Sequence, residues 1–174
     1  VDLLYLTGFM GTGKSAVGPL VARALGYTYV DLDREVERTA GMSVPQIFAR
    51  EGEATFRHRE TEALDAVSHR DRCVVGTGGG AVIAEANRKR MARTGHVVCL
   101  TASPAAIVRR TGRGRRRRPL LAGEGSLEAR VRNLLAERAV YYRECHHMVD
   151  TTGRPVAAVA KEIVKLHREG AWRR

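Results

Sequence analysis

Aromatic side chains make up only 5% of this 174-residue sequence, and acids are scarce beside bases: nineteen Asp and Glu against thirty Lys and Arg, a net charge of +11. Charge of that sign invites an anionic partner, nucleic acid first among them. The shortage of aromatics argues against it, because a base-stacking surface is poorly supplied. The densest basic run, Arg113-Gly-Arg-Arg-Arg-Arg118, leads into Pro119-Leu120-Leu121-Ala122-Gly123 with no aromatic interleaved. Most of this charge therefore reads as solvated surface, of which a small anionic substrate would use a few residues. Neither nucleic acid nor a membrane is expected as a partner.

Long apolar runs are missing too. None approaches the roughly 20 residues that cross a bilayer. The first strand-like run starts at Leu3, which leaves no room within this numbering for a secretory leader. Cys73, Cys99 and Cys145 make an odd count without a C-x-x-C pair, so reduced thiols in a cytoplasmic protein are expected. Cys145-His146-His147 has the residue types of a metal site but lacks two further ligands at suitable spacing. No internal repeat or Pro/Ser-rich linker divides the chain. A single domain over residues 1–174 is the expectation.

What is present is concentrated. Gly8-Phe9-Met10-Gly11-Thr12-Gly13-Lys14-Ser15 reads G-x-x-x-x-G-K-S directly after the apolar run Leu3-Leu4-Tyr5-Leu6. Glycines let backbone N–H groups close around phosphates, Lys14 supplies a point charge, and the Ser15 hydroxyl can ligand Mg²⁺. Val17, Leu20, Val21, Ala24 and Leu25 then fall at helical spacing, so the loop ends at a helix N-terminus that favours anions. The pattern implies nucleoside triphosphate binding. Pro19 falls early in that helix and is expected to bend or loosen it.

Strand patterns at Leu3–Thr7, Thr28–Asp31, Cys73–Gly76, His96–Thr101 and Met148–Asp150 alternate with helix patterns. The helices are placed near Lys14–Leu25, Arg34–Ala40, Val44–Arg50, Glu53–His69, Glu85–Arg93, Pro104–Arg110, Leu127–Tyr142 and Pro155–Arg168. Such alternation implies an α/β fold, a parallel sheet covered by helices, with ligands at the carboxyl ends of the strands. The Gly/Arg-rich stretch 112–125 lacks periodicity and is expected to act as a mobile lid.

Four features fit a phosphotransfer site. Asp31 and Asp33 close the second strand, where one carboxylate could hold Mg²⁺ and the other accept a hydroxyl proton; Asp33 could equally cap the following helix. Arg138 interrupts the apolar stripe Leu127, Val131, Leu134, Tyr141/Tyr142, a costly position unless an anion pairs with it. Arg57 and Glu60 lie at i,i+3 on a helix whose apolar face includes Phe56, Ala63 and Leu64. They are either ordinary surface pairing or a held guanidinium fork. Gly78-Gly79-Gly80 follows the third strand and permits positive φ or close approach of a ligand to the backbone.

Taken together, Gly8-Phe-Met-Gly-Thr-Gly-Lys-Ser15, Asp31-Leu-Asp33, Ile47-Phe-Ala-Arg-Glu-Gly-Glu53, Phe56-Arg57…Glu60, Gly78-Gly-Gly-Ala81, Arg118-Pro-Leu-Leu121 and Arg138…Tyr142 resemble the bacterial shikimate kinases along essentially the whole chain. The resemblance implies a P-loop kinase fold of the nucleoside-monophosphate-kinase type, a five-stranded parallel sheet in the order 2-3-1-4-5. It also implies MgATP-dependent phosphorylation of the 3-hydroxyl of shikimate, a step of aromatic amino-acid biosynthesis, by a monomeric cytoplasmic enzyme. By position, Gly11, Thr12, Gly13, Lys14, Ser15 and Ala16 would hold phosphate, with Ser15 and Asp31 at the metal. Asp33 would meet the reacting hydroxyl. Arg57, Arg138 and Gly78–Gly80 would hold the acid, Glu60 orienting Arg57, on a substrate-binding helical segment of about 33–62. Arg118 would reach the transferring phosphate from the lid, and Arg110 and Pro155 would flank the adenine. Ala16 departs from the second hydroxyl residue usual in the family. A related small-molecule kinase such as gluconate kinase shares the loop and fold; the arginine pair and Asp31-Leu-Asp33 favour shikimate.

Overall fold

The computed structural model describes residues 2–111 and 126–170. The expected lid at 112–125, with Arg118, lies outside the described residues. Five strands, β1 (Leu3–Thr7), β2 (Thr28–Asp31), β3 (Cys73–Gly76), β4 (His96–Thr101) and β5 (His147–Asp150), form one sheet in the order β2-β3-β1-β4-β5. Every pairing is parallel. Order and direction match those implied by the resemblance.

Strand β1 is central and wholly buried. Its alternate residues enter two different cores, as the two-residue period of a strand requires. Leu3 and Tyr5 join Leu32, Ile47, Phe56 and Ile107 on one face. Leu4 and Leu6 join Val17, Val21 and Ile163 on the other, between α1 (Lys14–Leu25) and α7 (Val156–Glu169). The remaining helices are α2 (Leu32–Ala40), α3 (Val44–Ser68), α4 (Glu85–Thr94), α5 (Pro104–Thr111) and α6 (Leu127–Tyr142). None of the described helices is long and apolar enough to cross a membrane.

Three local features differ from the expectation. Helix α1 runs unbroken through Pro19. Pro19 and Ser15, the residue whose carbonyl loses its partner, are both exposed, so the missing bond falls on the solvent side of the helix. The segments expected at Val44–Arg50 and Glu53–His69 run on as α3, kinked where Gly52 takes φ +83° and ψ 171°; a glycine is needed at that φ. The first part opens with a capping box between Ser43 and Gln46. Helix α2 begins at Leu32, two residues before the expected start.

Opposite the carboxyl ends of the strands lies a buried polar cluster. His96 at the start of β4 is fully buried. It meets His147 Nδ1 through Nε2 at 2.8 Å and His167 Nδ1 through Nδ1 at 3.2 Å. His167 approaches Asp2, which accepts from the Tyr27 hydroxyl, and His146 Nδ1 accepts from Val97 N at 2.9 Å. His146 and His147 thus join this cluster, and Cys145 packs against the core near Cys99. Burial, then the neighbouring imidazoles, lowers the His96 pKa to about 3. A folded pKa below the unfolded value favours the native state above the unfolded pKa of about 6.5 and loses that advantage as pH falls toward 3. Between pH 7 and 5 this amounts to about 2 kcal/mol, or roughly 4–8 °C in melting temperature. His96→Val should flatten that acid slope in thermal melts; an unchanged slope would assign the acid sensitivity to other groups.

Candidate active site

The turn from β1 into α1 depends on glycines in the left-handed region: Gly8 at φ +127°, Gly11 at +79° and Gly13 at +105°. Side chains there would also collide, at Gly8 with the Leu100 carbonyl and at Gly11 with the Thr111 methyl 2.7 Å away. Gly13 provides no side-chain cap for α1, so the first amides of the helix are left to bind an anion. Lys14 folds back over this loop, its Nζ donating to the carbonyls of Gly8 at 2.6 Å and Phe9 at 2.9 Å. A cation and a ring of amides thus share one cradle.

The cradle is braced from β5. Thr151 Oγ1 donates to Thr12 O at 2.8 Å. Arg110 donates to Gly11 O at 3.1 Å and to Thr151 O at 2.9 Å. Nothing in the sequence distinguishes Thr151, whose role appears only when β5 lies near the loop. Pro155 is the N-cap of α7 and is not among the residues lining the cleft.

That cleft, about 300 Å³, is lined by Gly11, Gly13, Lys14, Ser15, Ala16, Asp31, Asp33, Gly78, Gly79 and Arg110, with Met10, Tyr29, Gly76 and Thr77. Tyr29 was missed by sequence reasoning, although strand alternation puts it on the Asp31 side of β2. Its ring packs where only Gly18 and Gly76 leave room. Burial, and then Asp31, raises its pKa to about 12, against a hydrogen bond with Ser15.

The cap of α2 falls to the other aspartate than the one the sequence offered for it. Asp31, not Asp33, is the N-cap of α2: its Oδ1 accepts from the amides of Asp33 at 3.0 Å and Arg34 at 3.4 Å. Strand β2 ends at Asp31, so a turn of helix brings Asp33 into the cleft. Asp33 Oδ1 is enclosed and has no partner among the described residues. Its pKa rises to about 6 through burial, then Asp31, against the pull of Lys14 and Arg57.

Glu53, Arg57 and Glu60 share one face of α3 beyond the kink. Arg57 donates through Nη1 to Glu60 at 2.8 Å and through Nη2 to Glu53 at 3.2 Å. Glu60 is 1% exposed, and burial, opposed by Arg57, raises its pKa to about 7. Burial weakens the Arg57 charge, but its two carboxylate partners outweigh that and raise its pKa.

Gly78–Gly80 wall this side. Their φ angles are not in the left-handed region, so glycine is required for space and not for backbone conformation. A β-carbon at Gly78 would lie 2.6 Å from Glu60 Oε1 and 2.9 Å from Asp33 Oδ1; one at Gly80 would strike the Arg57 guanidinium. Arg138, 4% exposed, donates to Gly79 O at 3.4 Å, and the Tyr142 hydroxyl donates to the same oxygen at 2.5 Å. Arg88, another residue the sequence did not single out, ties the end of α6 to this wall. It donates to Val82 O at 2.7 Å and to Glu144 at 2.7 Å, with its guanidinium over the Tyr141 ring. Loop glycines, Lys14 and Asp33 thus meet in the cleft at the carboxyl ends of β1, β2 and β3, and Glu60, Arg57 and Arg138, not among its lining residues, adjoin it at Gly78–Gly80.

A family model described as shikimate kinase matches residues 10–168. The chain is 49% identical over 158 residues to a shikimate kinase of Geobacter metallireducens, covering 91% of this chain and 87% of that one. It is 45% identical over 168 residues to a shikimate kinase of Thermus thermophilus, covering 97% and 89%. Among solved structures, a shikimate kinase from Acinetobacter baumannii in complex with shikimate has a TM-score of 0.92 at 37% identity, covering 97% of this chain and 94% of that one. With the cradle, the acid pair and the arginines in place over the matched length, the chain belongs to the shikimate kinase family.

Proposed function

We propose that this chain transfers the terminal phosphoryl group of ATP to the 3-hydroxyl of shikimate, giving shikimate 3-phosphate and ADP for aromatic amino-acid biosynthesis. The observation that carries the reading is the pair of enclosed oxygens, Asp33 Oδ1 and Glu60 Oε1, that have no partner among the described residues and both lie against the place a β-carbon of Gly78 would take. Burying acceptors without donors costs stability, and the hydroxyls of a polyhydroxy acid supply donors at that place. Arg57 and Arg138 supply the complement for its carboxylate.

In this reading the loop amides and Lys14 hold the phosphates, and Asp33 receives the hydroxyl proton as the oxygen attacks phosphorus. Arg57, Arg138 and the Gly79–Gly80 backbone fix the acid, so that the hydroxyl lies in line with the bond that breaks. Ser15 and Asp31 suit Mg²⁺: Asp31 spends Oδ1 on the α2 cap and keeps Oδ2, beside an exposed Ser15 in the same cleft. No group of three or more His, Cys, Asp or Glu among the described residues could hold a metal; Mg²⁺ needs only one or two protein ligands beside phosphate and water. When bound, Mg²⁺ neutralises charge on the phosphates. Arg110 and Pro155 are assigned to the adenine, and Arg118 to the transferring phosphate. The enzyme is taken to work as a monomer in the cytoplasm.

ADP release measured with shikimate, with gluconate and without an acceptor tests the reading: only shikimate should support turnover. Arg138→Lys keeps the charge and loses the planar fork, so KM for shikimate should rise about tenfold while KM for ATP changes less than about twofold. Equal weakening of both substrates would make Arg138 a packing residue.

A further inference from the structure

Arg57 is held differently by its two acids. Glu60 is 1% exposed and bonds Nη1 at 2.8 Å; Glu53 is 48% exposed and bonds Nη2 at 3.2 Å. Nε is enclosed and has no partner among the described residues. The guanidinium also lies against Gly80, which fixes its plane. Glu60 and Gly80 therefore orient the fork without help from Glu53. An incoming carboxylate can displace only the partner that water can receive, and that partner is Glu53, because freeing Glu60 would leave a buried carboxyl group without its donor.

We propose that Glu53 is a resident competitor for the substrate carboxylate: it occupies Arg57 Nη2 in the free enzyme, turns out to solvent when the acid binds, and so sets the affinity for the acid. This rests on the reading of Arg57 as the carboxylate clamp. Glu53 begins the part of α3 beyond the Gly52 kink and reaches Arg57 one turn on, an arrangement that favours the ion pair in the free state. Its negative charge also repels the arriving acid at short range. Both effects oppose binding of an anion and neither opposes binding of a neutral analogue.

The test is calorimetric titration of the nucleotide-free protein with shikimate and with its primary amide. Glu53→Gln keeps the shape and weakens the contact, and Glu53→Ala removes it. Both should tighten shikimate binding about two- to fivefold, the scale of one exposed ion pair, while the Kd of the amide changes by less than about 1.5-fold. Unchanged or weaker shikimate binding in both variants overturns the proposal and makes Glu53 an orienting residue. So does equal tightening of acid and amide. Arg57→Lys separates the two levels: if it weakens shikimate binding while the Glu53 variants do not tighten it, only the competitor role fails. If Arg57→Lys leaves shikimate binding unchanged, the clamp reading fails and takes the proposal with it.

Discussion

Lys14→Met should reduce kcat by about 10²–10³ or more while leaving the fold in place, as measured by steady-state turnover and by circular dichroism. The expected size is that of one preorganised donor removed from a site of developing negative charge. The aliphatic stem of Met refills most of the space. The local cost includes the Gly8 and Phe9 carbonyls that Nζ now satisfies, and the Phe9 carbonyl keeps its bond from Thr12. Retention of more than about a tenth of wild-type kcat, a loss below roughly 1.4 kcal/mol, would contradict the assignment.

Asp33→Asn should move activity and stability in opposite directions. The α2 cap belongs to Asp31, so the substitution leaves the helix start intact and removes only a carboxylate's charge and basicity. Turnover should fall by about 10²–10⁴, the usual range for a lost general base. Stability should rise at neutral pH, for a reason that fixes its sign. The Asp33 pKa is raised from 3.8 to about 6 in the folded protein, so the folded state is favoured fully below the unfolded pKa and loses that advantage as pH climbs through 6. Above that window, ionised Asp33 costs on the order of 1–3 kcal/mol. The variant should therefore melt several degrees higher than wild type at pH 8 and equally at pH 4. Wild-type kcat/KM should fall as pH drops through 7 to 6, with Glu60 at about 7 and Asp33 at about 6 titrating as a coupled pair around Gly78. Near-normal activity in Asp33→Asn would leave positioning by Lys14 and Mg²⁺ as the whole mechanism.

The phosphate loop could be read from residues 8–15 alone because everything it needs is local. Its φ angles depend on glycines at fixed places, and its helix starts at Lys14, within the motif itself. Strand limits at Leu3–Thr7 and His96–Thr101 were legible for the same reason, since apolar runs and their breaks are properties of consecutive residues. Arg138 was legible from a periodic stripe, and it is buried as the stripe requires. Tertiary structure decided whatever depends on residues distant in the chain. Asp31 took the cap from Asp33 because β2 ends where it does. Gly80 is a glycine because Arg57 arrives from another helix, and Thr151 braces a loop 139 residues earlier. Spacing along the chain records backbone preference and periodicity, whereas the approach of two side chains is fixed only when sheet and helices pack. The sequence thus determined the phosphate cradle and the order of elements, and packing determined which charges face one another across the cleft.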